Sequence, residues 1–518
     1  MKLRRMVSCM MALLLVCSLP LVAFAEEYDL ANGSITVTAN TDGQTVNQGG
    51  TDHTETSPTV IKQSDSSTPT TNTITITATE NATANVTIQD VNIVVSDDTP
   101  KNHSGEAAVT IDVADNASAN VTLDGVNIDV GETGGYDNYQ SRNVDGEAAL
   151  QITGNGDVTM ELDGDNTVQG GNERAGVEKN NGGNLTITDE NGTHGSLKAT
   201  GGDLGSGIGG GFYSTGSNIT ISGSADVTAI GGAEGSGIGG GQYSSGSSIT
   251  ITDRANVTAI GGWGAAGIGG GYGGSGYGGS GSGSDITISG SAEVTAIGGD
   301  CGAGIGGGGR STGSNITVSG DAQVKAQGGD SFDMPTNGSI TGAGAAIGNG
   351  GTYQVGATDA ESLKGDEVNP NTSKLTPNGK IEYYAPGADI KTADPTKTVT
   401  GTYVPPQPTE PAQPAAPYRV VGQDGKTLAC KKAQSSGVLT ITVDADFATL
   451  TGSASGLKTL KAQGVETIVF ETNGATSTFA LADLLAQVPS GSTYALTHVG
   501  SIVTLTLSSG VDISSILK

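Results

Sequence analysis

Residues 205–231 read GSGIGGGFYSTGSNITISGSADVTAIG, and residues 235–261 read GSGIGGGQYSSGSSITITDRANVTAIG. These two copies belong to a thirty-residue repeat that extends from Gly201 to Gly329. The central isoleucine of each copy recurs at Ile208, Ile238, Ile268 and Ile305, the last after a seven-residue insertion. A fixed period of this size is typical of stacked supersecondary units.

Apolar and polar residues alternate over short segments within each copy. Ile219–Ile221 and Val227–Ala229 place apolar and polar side chains on opposite faces of a short strand. Three such segments per copy, separated by Gly and Ser corners, predict one coil of a right-handed parallel β-helix, an all-β fold. Inward positions are expected to form ladders of like residues: Ile208, Ile238 and Ile268; Ile219, Ile249 and Ile286; Val227, Val257 and Val294.

Looser copies extend the pattern upstream. The corresponding apolar segments start at Ile74, Val109, Leu150 and Leu185. The sequence thus predicts a β-helix over residues 73–351 with about eight coils, and a strand spacing of about 4.8 Å makes it roughly 40 Å long. Its end coils are expected to be capped, because open strand edges invite association.

The N-terminus has the pattern of a secretory signal peptide, predicted over residues 1–25. A basic start is followed by an apolar run from Met10 to Val22 and by Ala23–Ala25 before Glu26. The apolar run is short for a membrane span, and no later segment is longer and as apolar. The mature protein is therefore predicted to be secreted, extracellular or on the cell surface, without membrane insertion.

Four further segments flank the predicted β-helix. Residues 26–72 are rich in Thr, Ser, Asn and Asp and are predicted to form a loose polar segment, whereas residues 352–403 are predicted to form an irregular end segment. Residues 404–417 are a proline-rich extended linker. Beyond it, the changed periodicity of residues 418–518 predicts a small α+β domain, interpreted as an attachment or oligomerisation module.

The chain is strongly acidic, with 24 Lys and Arg residues against 53 Asp and Glu residues. Removal of the signal peptide takes away three basic residues, so the net charge changes from −29 to −32. Nucleic acid is an unsuitable partner because phosphate binding requires a basic surface. The mature chain keeps Cys301 and Cys430, predicted to be unpaired thiols.

An aromatic or cationic residue follows each glycine run. These candidate carbohydrate-binding residues are Tyr213, Tyr243, Tyr272, Tyr277 and Arg310. Stacked copies would set them in a column along one edge, where flat rings can stack on the apolar faces of sugars. The alternative is that the rings stack on each other and stiffen the loops. Trp263, the single tryptophan, lies in a glycine loop and is the strongest candidate for a ligand platform.

Acidic residues recur after the Gly-Gly pairs. The candidate metal ligands are Asp203, Glu234, Asp300 and Asp330. Oxygen ligands at turns suit Ca²⁺, which accepts six to eight of them in flexible geometry. The alternative is that these are ordinary turn residues.

Catalytic motifs are weak in this sequence. The glycine runs are not followed by Lys-Ser or Lys-Thr, which excludes a P-loop. A polysaccharide lyase needs basic groups, and the predicted β-helix has few Arg and Lys residues. A glycosidase needs paired carboxylates, and no sequence motif identifies such a pair. The four histidines are scattered and predict no metal cluster.

The upstream segments Ala119–Ile128, Asn184–Ile187 and Gly195–Gly202 resemble a family of secreted right-handed β-helix carbohydrate-binding domain proteins of Gram-positive anaerobic bacteria. The resemblance covers residues 74–350. It implies a right-handed β-helix, and some members of that family are taken to bind acidic plant polysaccharides and calcium without cleaving them. No site residue is carried over by position.

The leading hypothesis is a secreted or cell-surface, non-catalytic protein that binds polysaccharide or cell-wall glycan, with calcium assistance as an additional expectation. The second hypothesis is a structural adhesin or surface-layer-like component that binds protein or cell wall. The third is a polysaccharide lyase. Binding without turnover, retention on the cell wall through residues 418–518, and unsaturated sugar products would distinguish the three.

Overall fold

The chain divides into two compact units, Met1–Pro405 and Pro406–Lys518, which we call the solenoid unit and the C-terminal unit. The computed structural model describes residues 27–55, 58–95, 107–131, 133–137, 142–273, 281–334, 339–355, 357, 359–403, 417–423, 426–488, 492–508 and 511–517. The predicted signal peptide and nearly all of the proline-rich linker lie outside these residues. In the described ranges, no helix is both long enough and apolar enough to span a membrane.

The solenoid unit consists of short strands that pair in parallel with strands of the next coil. Each repeat copy contributes three strands, as the alternation predicts, and residues thirty positions apart are partners. We name three rows of strands after one copy: the first row contains Gly216–Ile221, the second Asp226–Ile230 and the third Ile208–Gly209. A mostly β fold with long, stacked parallel sheets is therefore confirmed.

The first and second rows form one sheet of nineteen strands in the described part of the chain, because Asp157–Gln169 runs through both. The first row contains Thr59–Lys62, Thr83–Gln89, Ser118–Asp124, Asp157–Gln169, Leu185–Thr188, Gly216–Ile221, Gly246–Ile251, Gly283–Ile288 and Gly313–Val318, with Glu27–Asp29 beside its first strand. The second row contains Asn92–Val94, Asn127–Asp129, Asp157–Gln169, Gly195–Thr200, Asp226–Ile230, Asn256–Ile260, Glu293–Ile297, Gln323–Gln327, Lys380–Tyr384 and Lys397–Thr400.

The third row has ten parallel strands among the described residues, so the unit has more coils than the eight expected. These strands are Ile35–Asn40, Ile74–Ala78, Val109–Val113, Leu150–Gly154, Val177–Lys179, Ile208–Gly209, Ile238–Gly239, Ile268–Gly269, Ile305–Gly306 and Ile347–Gly348. The antiparallel strands Gly43–Gln48 and Thr51–Glu55 complete the sheet at its N-terminal end.

Two segments outside the predicted β-helix prove to be ordered. Residues 26–72 were expected to be loose, but Ile35–Asn40 pairs in parallel with Ile74–Ala78 and buries Ile35, Val37 and Ala39. Threonine at the outward positions makes this segment look polar in the sequence. Residues 352–403 contain Lys380–Tyr384, which adds a strand to the end of the second row.

Short elements complete the solenoid unit. They are the 3₁₀ turns Leu30–Asn32 and Glu361–Leu363, the hairpin of Gly135–Asp137 and Arg142–Val144, and the antiparallel strands Asp333–Met334, Ser339–Thr341 and Tyr353–Val355.

The predicted ladders of like residues form the core of this unit. Ile208, Ile238 and Ile268 are partners in successive coils and are fully buried. The Ile219 and Val227 ladders are equally buried. Glycine at the corners allows the coils to approach: Gly239 has a φ of +133°, and a Cβ there would lie 2.0 Å from the carbonyl oxygen of Gly269.

The C-terminal unit has its own core around Phe470, Phe479 and Leu496. Two helices, Ala454–Ala462 and Leu481–Gln487, accompany two small sheets. One sheet is antiparallel and contains Tyr418–Val421, Phe447–Ser453, Thr493–Val499 and Ile502–Leu507. The other contains Lys431–Ser435, Val438–Thr442, Thr467–Glu471 and Thr476–Ala480, with one parallel pair; the 3₁₀ turn Ser514–Ile516 follows.

Candidate functional site

The candidate aromatic residues lie in loops that stack coil upon coil. Phe212 and Tyr213 follow a third-row strand, and the Tyr213 N–H donates to the Gln242 carbonyl oxygen of the next coil at 3.1 Å. The Tyr243 N–H donates to the Tyr272 carbonyl oxygen in the same way, at 2.9 Å. The loops therefore hold their rings along one edge of the solenoid unit.

These residues do not form the single column expected from the sequence. Tyr213, Tyr243 and Arg310 share one register, and each has a positive φ, of 56°, 61° and 68°. Tyr272 lies one position earlier in its coil, in the register of Gln242. The shift arises because its copy places the aromatic residue directly after the glycine run. Tyr277 lies outside the described residues.

The rings form two clusters. In the first, which we call the Tyr213 cluster, the centroid of Tyr213 lies 4.2 Å from Phe212 and 5.2 Å from Tyr243. In the second, Trp263 lies 4.9 Å from Tyr272 and 6.1 Å from Phe332. The Tyr213 side chain is 53% exposed, whereas Trp263 is half-buried between its neighbours. Tyr213 is thus the ring most open to a ligand.

Arg310 is positioned by an aromatic contact of its own. Its guanidinium carbon lies 5.0 Å from the ring centroid of Tyr353, within the range of a cation–π interaction. The Arg310 side chain is half-buried. It therefore places a cation at the Tyr213 position of its own coil.

The four candidate metal ligands are not brought together. Asp203 and Asp300 share a register, but Ala233 and Trp263 occupy the two coils between them. At a spacing of about 4.8 Å per coil, they lie roughly 14 Å apart. Asp330 lies next to Asp300, and burial together with the charge of Asp330 raises the pKa of Asp300. In the part of the chain that the structure describes, no group of three acidic, His or Cys residues is arranged to hold a metal ion.

Glu234 belongs to a different register from the other three acidic residues. It occupies the position of Leu204 and Cys301, where the φ of each residue is positive. Its half-buried carboxylate accepts a hydrogen bond from the side-chain amide of Gln242. Burial raises the pKa of Glu234 to about 7. Sequence reasoning misplaced this residue by one position, because Ala233 rather than Glu234 is the counterpart of Asp203.

A polar pocket lies beside the Tyr213 cluster, and sequence reasoning missed it. We call it the Arg174 pocket. It has a volume of about 240 Å³ and is lined by Asp145, Glu173, Arg174, Glu178, Asn180, Gly211, Phe212 and Ser214. Phe212 belongs both to this pocket and to the Tyr213 cluster, so the two features form one continuous surface.

A buried ion pair forms one wall of the Arg174 pocket. Arg174 donates to Glu178 from Nε at 2.7 Å and from Nη2 at 2.6 Å. Glu178 is 2% exposed and also accepts hydrogen bonds from the Ala175 N–H, the Asn180 amide and the Gln151 amide. Burial alone would lower the pKa of Arg174, but the contacts with Glu178 and the charge of Asp145 raise it overall. The guanidinium is thus charged and fixed in place.

The repeat itself contains the signal that could have revealed this pocket. Arg174 and Glu178 occupy the register positions of Gly205 and Gly209 in the next coil. Charged side chains that replace corner glycines mark the coil of Val177 as different from its neighbours. In the sequence, this coil was recognised only by its segment from Leu185, which pairs with Ile219, so the substitution at the corner before Val177 was overlooked.

The C-terminal unit contains a serine–histidine contact that resembles part of a catalytic triad. His498 Nε2 lies 2.8 Å from the Ser477 hydroxyl, and its Nδ1 lies 3.0 Å from the Thr472 hydroxyl. His498 is 0% exposed and Ser477 is 2% exposed, so a substrate cannot reach the serine. The arrangement satisfies buried polar groups and does not form an accessible nucleophile.

Comparisons of this chain with protein-family models, curated proteins and solved structures give no match. The resemblance to β-helix carbohydrate-binding proteins stays a prediction.

Proposed function

We propose that this protein is an exported, non-catalytic polysaccharide-binding protein whose right-handed parallel β-helix binds glycan along the edge that carries the Tyr213 cluster. The observation that supports this proposal is the half-exposed ring of Tyr213, packed against Phe212 and Tyr243. A ring fixed in this way loses little conformational entropy when a sugar stacks on it.

The polar groups beside this edge suit a carbohydrate. Sugars combine apolar C–H faces with many hydroxyl groups, and the Tyr213 cluster and the Arg174 pocket supply aromatic and polar partners next to each other. Glu178 is a poor general acid or base because hydrogen bonds occupy both of its oxygens. These features favour binding over catalysis.

The test is a glycan-array screen of the full chain, followed by calorimetric titration of the best ligand with variants. Tyr213→Ala should weaken binding about fivefold to tenfold, since one aromatic contact contributes about 1 kcal/mol. Tyr403→Ala, a half-buried tyrosine of the end segment, should leave the affinity unchanged. Unchanged affinity of Tyr213→Ala would exclude this edge, and release of sugar fragments would exclude a non-catalytic role.

Calcium assistance stays a prediction from the acidic residues. The same titrations with calcium and with a chelator test it directly. Asp300→Asn is the informative variant, because Asp300 and Asp330 are the acidic pair whose charges interact. Affinity that is equal in calcium and chelator would contradict the prediction.

A structural adhesin is the second candidate, and an exposed apolar surface on the C-terminal unit favours it. Val499 and Ile502 are partners at the end of a hairpin and are 48% and 65% exposed. Such side chains are suited to an attachment surface. Retention of residues 417–518 on purified cell wall, with loss of retention in Ile502→Ser, would support this role; equal retention of the variant would contradict it.

A further inference from the structure

A second pocket, of about 530 Å³, lies in the C-terminal unit, where the helix Ala454–Ala462 begins beside the strand Tyr418–Val421. We call it the Arg419 pocket, after the charged residue in its lining. The lining also includes Tyr418, Gly452, Ser455, Thr459 and Thr493. The proposed glycan site belongs to the solenoid unit, so this pocket requires a separate explanation.

The first turn of the helix contributes a backbone donor. The Ala454 N–H donates to the Ser492 carbonyl oxygen at 3.2 Å, and the Gly456 N–H donates to the Ser453 hydroxyl at 3.2 Å. The Ser455 N–H between them has no hydrogen-bond partner among the described residues, and Ser455 lines the pocket. A helix N-terminus combines such donors with a partial positive charge, which suits an anion.

A buried hydroxyl without a partner lies behind the wall of the Arg419 pocket. Tyr494 is 1% exposed, and its hydroxyl has no hydrogen-bond partner in the described part of the chain. This hydroxyl lies 2.9 Å from the position that a Cβ on Gly452 would take, so the lack of a side chain at Gly452 leaves it next to the wall. Burial raises the pKa of Tyr494, so the hydroxyl keeps its proton and can donate. An unpaired buried donor is unfavourable, and an acceptor atom of a ligand would satisfy it.

Arg419 supplies the charge of the pocket. It is the one charged lining residue in the described ranges, and its side chain is exposed. Its one hydrogen bond there joins Nη2 to the Thr427 hydroxyl at 3.3 Å, which leaves other guanidinium donors for a ligand. Residues 413–416 and 489–491, adjacent to the lining in sequence and outside the described ranges, contain no charged side chain. Residues 417–518 contain seven Lys and Arg residues against seven Asp and Glu residues, so this unit does not share the acidity of the whole chain.

We propose that the Arg419 pocket binds a polyol phosphate ester, of the glycerol phosphate class, through its phosphate group. The Arg419 guanidinium and the Ser455 N–H donate to phosphate oxygens. The Tyr494 hydroxyl donates to the same group after a small shift of the backbone at Gly452. The pocket has room beyond a phosphate ion, and the Thr493 hydroxyl at its edge suits the polyol. This binding activity is independent of the proposed glycan site.

The experiment titrates the full chain calorimetrically with glycerol 3-phosphate, glycerol and inorganic phosphate. Glycerol 3-phosphate should bind at least about tenfold more tightly than glycerol, because only the ester brings an anion to the donors. It should also bind more tightly than inorganic phosphate, which lacks the polyol. A soluble poly(glycerol phosphate) identifies the source of the ester: tighter binding per phosphate than the monomer assigns a polymer, and equal binding assigns a free ester.

Two variants test the assigned donors. Arg419→Gln should weaken binding of glycerol 3-phosphate about tenfold, as expected for a lost charge-assisted hydrogen bond. Lys458→Gln removes the same charge from an exposed position of the helix and should leave the affinity unchanged. Tyr494→Phe should weaken binding about fivefold. Without ligand, its urea unfolding midpoint should equal or exceed that of wild type, because the lost hydroxyl has no partner.

Three results would overturn the phosphate site. They are no binding of glycerol 3-phosphate by wild type, equal effects of Arg419→Gln and Lys458→Gln, and wild-type affinity in Tyr494→Phe. A lower unfolding midpoint of Tyr494→Phe without ligand would show a structural role for the hydroxyl and would also contradict the assignment. Glycan binding through Tyr213 is measured with different ligands, so either proposal can fail while the other stands.

Discussion

At position 234 the repeat places a carboxylate where the neighbouring coils carry Leu204 and Gly264. Because burial raises the pKa of Glu234 from 4.5 to about 7, the folded chain holds a proton more tightly than the unfolded chain does. The contribution of this proton binding to the free energy of unfolding is fully present below pH 4.5 and is lost as the pH rises through 7.

Replacement of Glu234 by glutamine removes this loss, because the amide keeps a hydrogen-bonding group without a charge. At pH 8, Glu234→Gln should be more stable than wild type by about 1–3 kcal/mol, whereas at pH 4 the two should be equal. Urea unfolding followed by the fluorescence of Trp263 measures the difference. Glu293→Gln, at an exposed position of the second row, is the control and should show no such pH dependence. A constant difference between Glu234→Gln and wild type across pH would contradict the assignment.

His498 predicts the opposite pH dependence for the C-terminal unit. Burial lowers the pKa of His498 below its usual 6.5, so the unfolded chain binds the proton more tightly. Stability should therefore fall as the pH decreases below 6.5, by at most about 1.4 kcal/mol per pH unit until the folded group also titrates. Hydrogen exchange of the strand Thr493–Val499, corrected for intrinsic rates, should show this loss. His498→Gln should abolish the dependence; an unchanged slope would assign it to another group.

At the scale of the strand, the sequence predicted the ladders of buried residues, which depend only on the repeat period. It did not predict the side-chain contacts that depend on the register of a residue within its coil. The Ile219 ladder follows from the thirty-residue period alone, and it is buried as expected. Tyr272 was placed in the wrong column because a shift of one residue in a glycine loop does not change the composition of the loop. Arg174 and Glu178 are only four residues apart, and their pairing was missed because their register against the glycines of the next coil was not identified.

Corner glycines determine whether successive coils can stack. At Gly239, an alanine would combine an unfavourable φ of +133° with a Cβ 2.0 Å from the Gly269 carbonyl oxygen. Gly239→Ala should therefore destabilise the solenoid unit by about 3 kcal/mol or more. Gly50 has a φ of +80° but no atom within 4 Å of its Cβ position, so Gly50→Ala should cost only about 1 kcal/mol. Urea unfolding measures the loss for each variant: Gly50→Ala introduces backbone strain alone, and Gly239→Ala adds a steric clash. Equal losses in the free energy of unfolding would show that close approach of the coils is unimportant.

The ends of the solenoid unit are covered, as expected for a stack of open strands. At one end, Gly43–Gln48 folds back antiparallel onto Ile35–Asn40. At the other, the Glu367 carboxylate accepts hydrogen bonds from the N–H groups of Ala346 at 2.8 Å and Ile347 at 3.2 Å. The covering strand at the N-terminal end was not expected from the sequence, because its pairing is antiparallel and does not follow the repeat.

Removal of the N-terminal cap should convert the protein into a self-associating one. Deletion of residues 41–55 would leave the backbone groups of Ile35–Asn40 unpaired at an open edge, which is a template for a strand from another molecule. Sedimentation velocity should then show a sedimentation coefficient that rises with concentration, while wild type remains constant. Deletion of residues 274–280, which returns that copy to the ordinary repeat length, is the control and should not associate. If the chain without its cap sediments as wild type does at every concentration, the hairpin does not protect the edge, and the N-terminal coil must be protected by its own sequence.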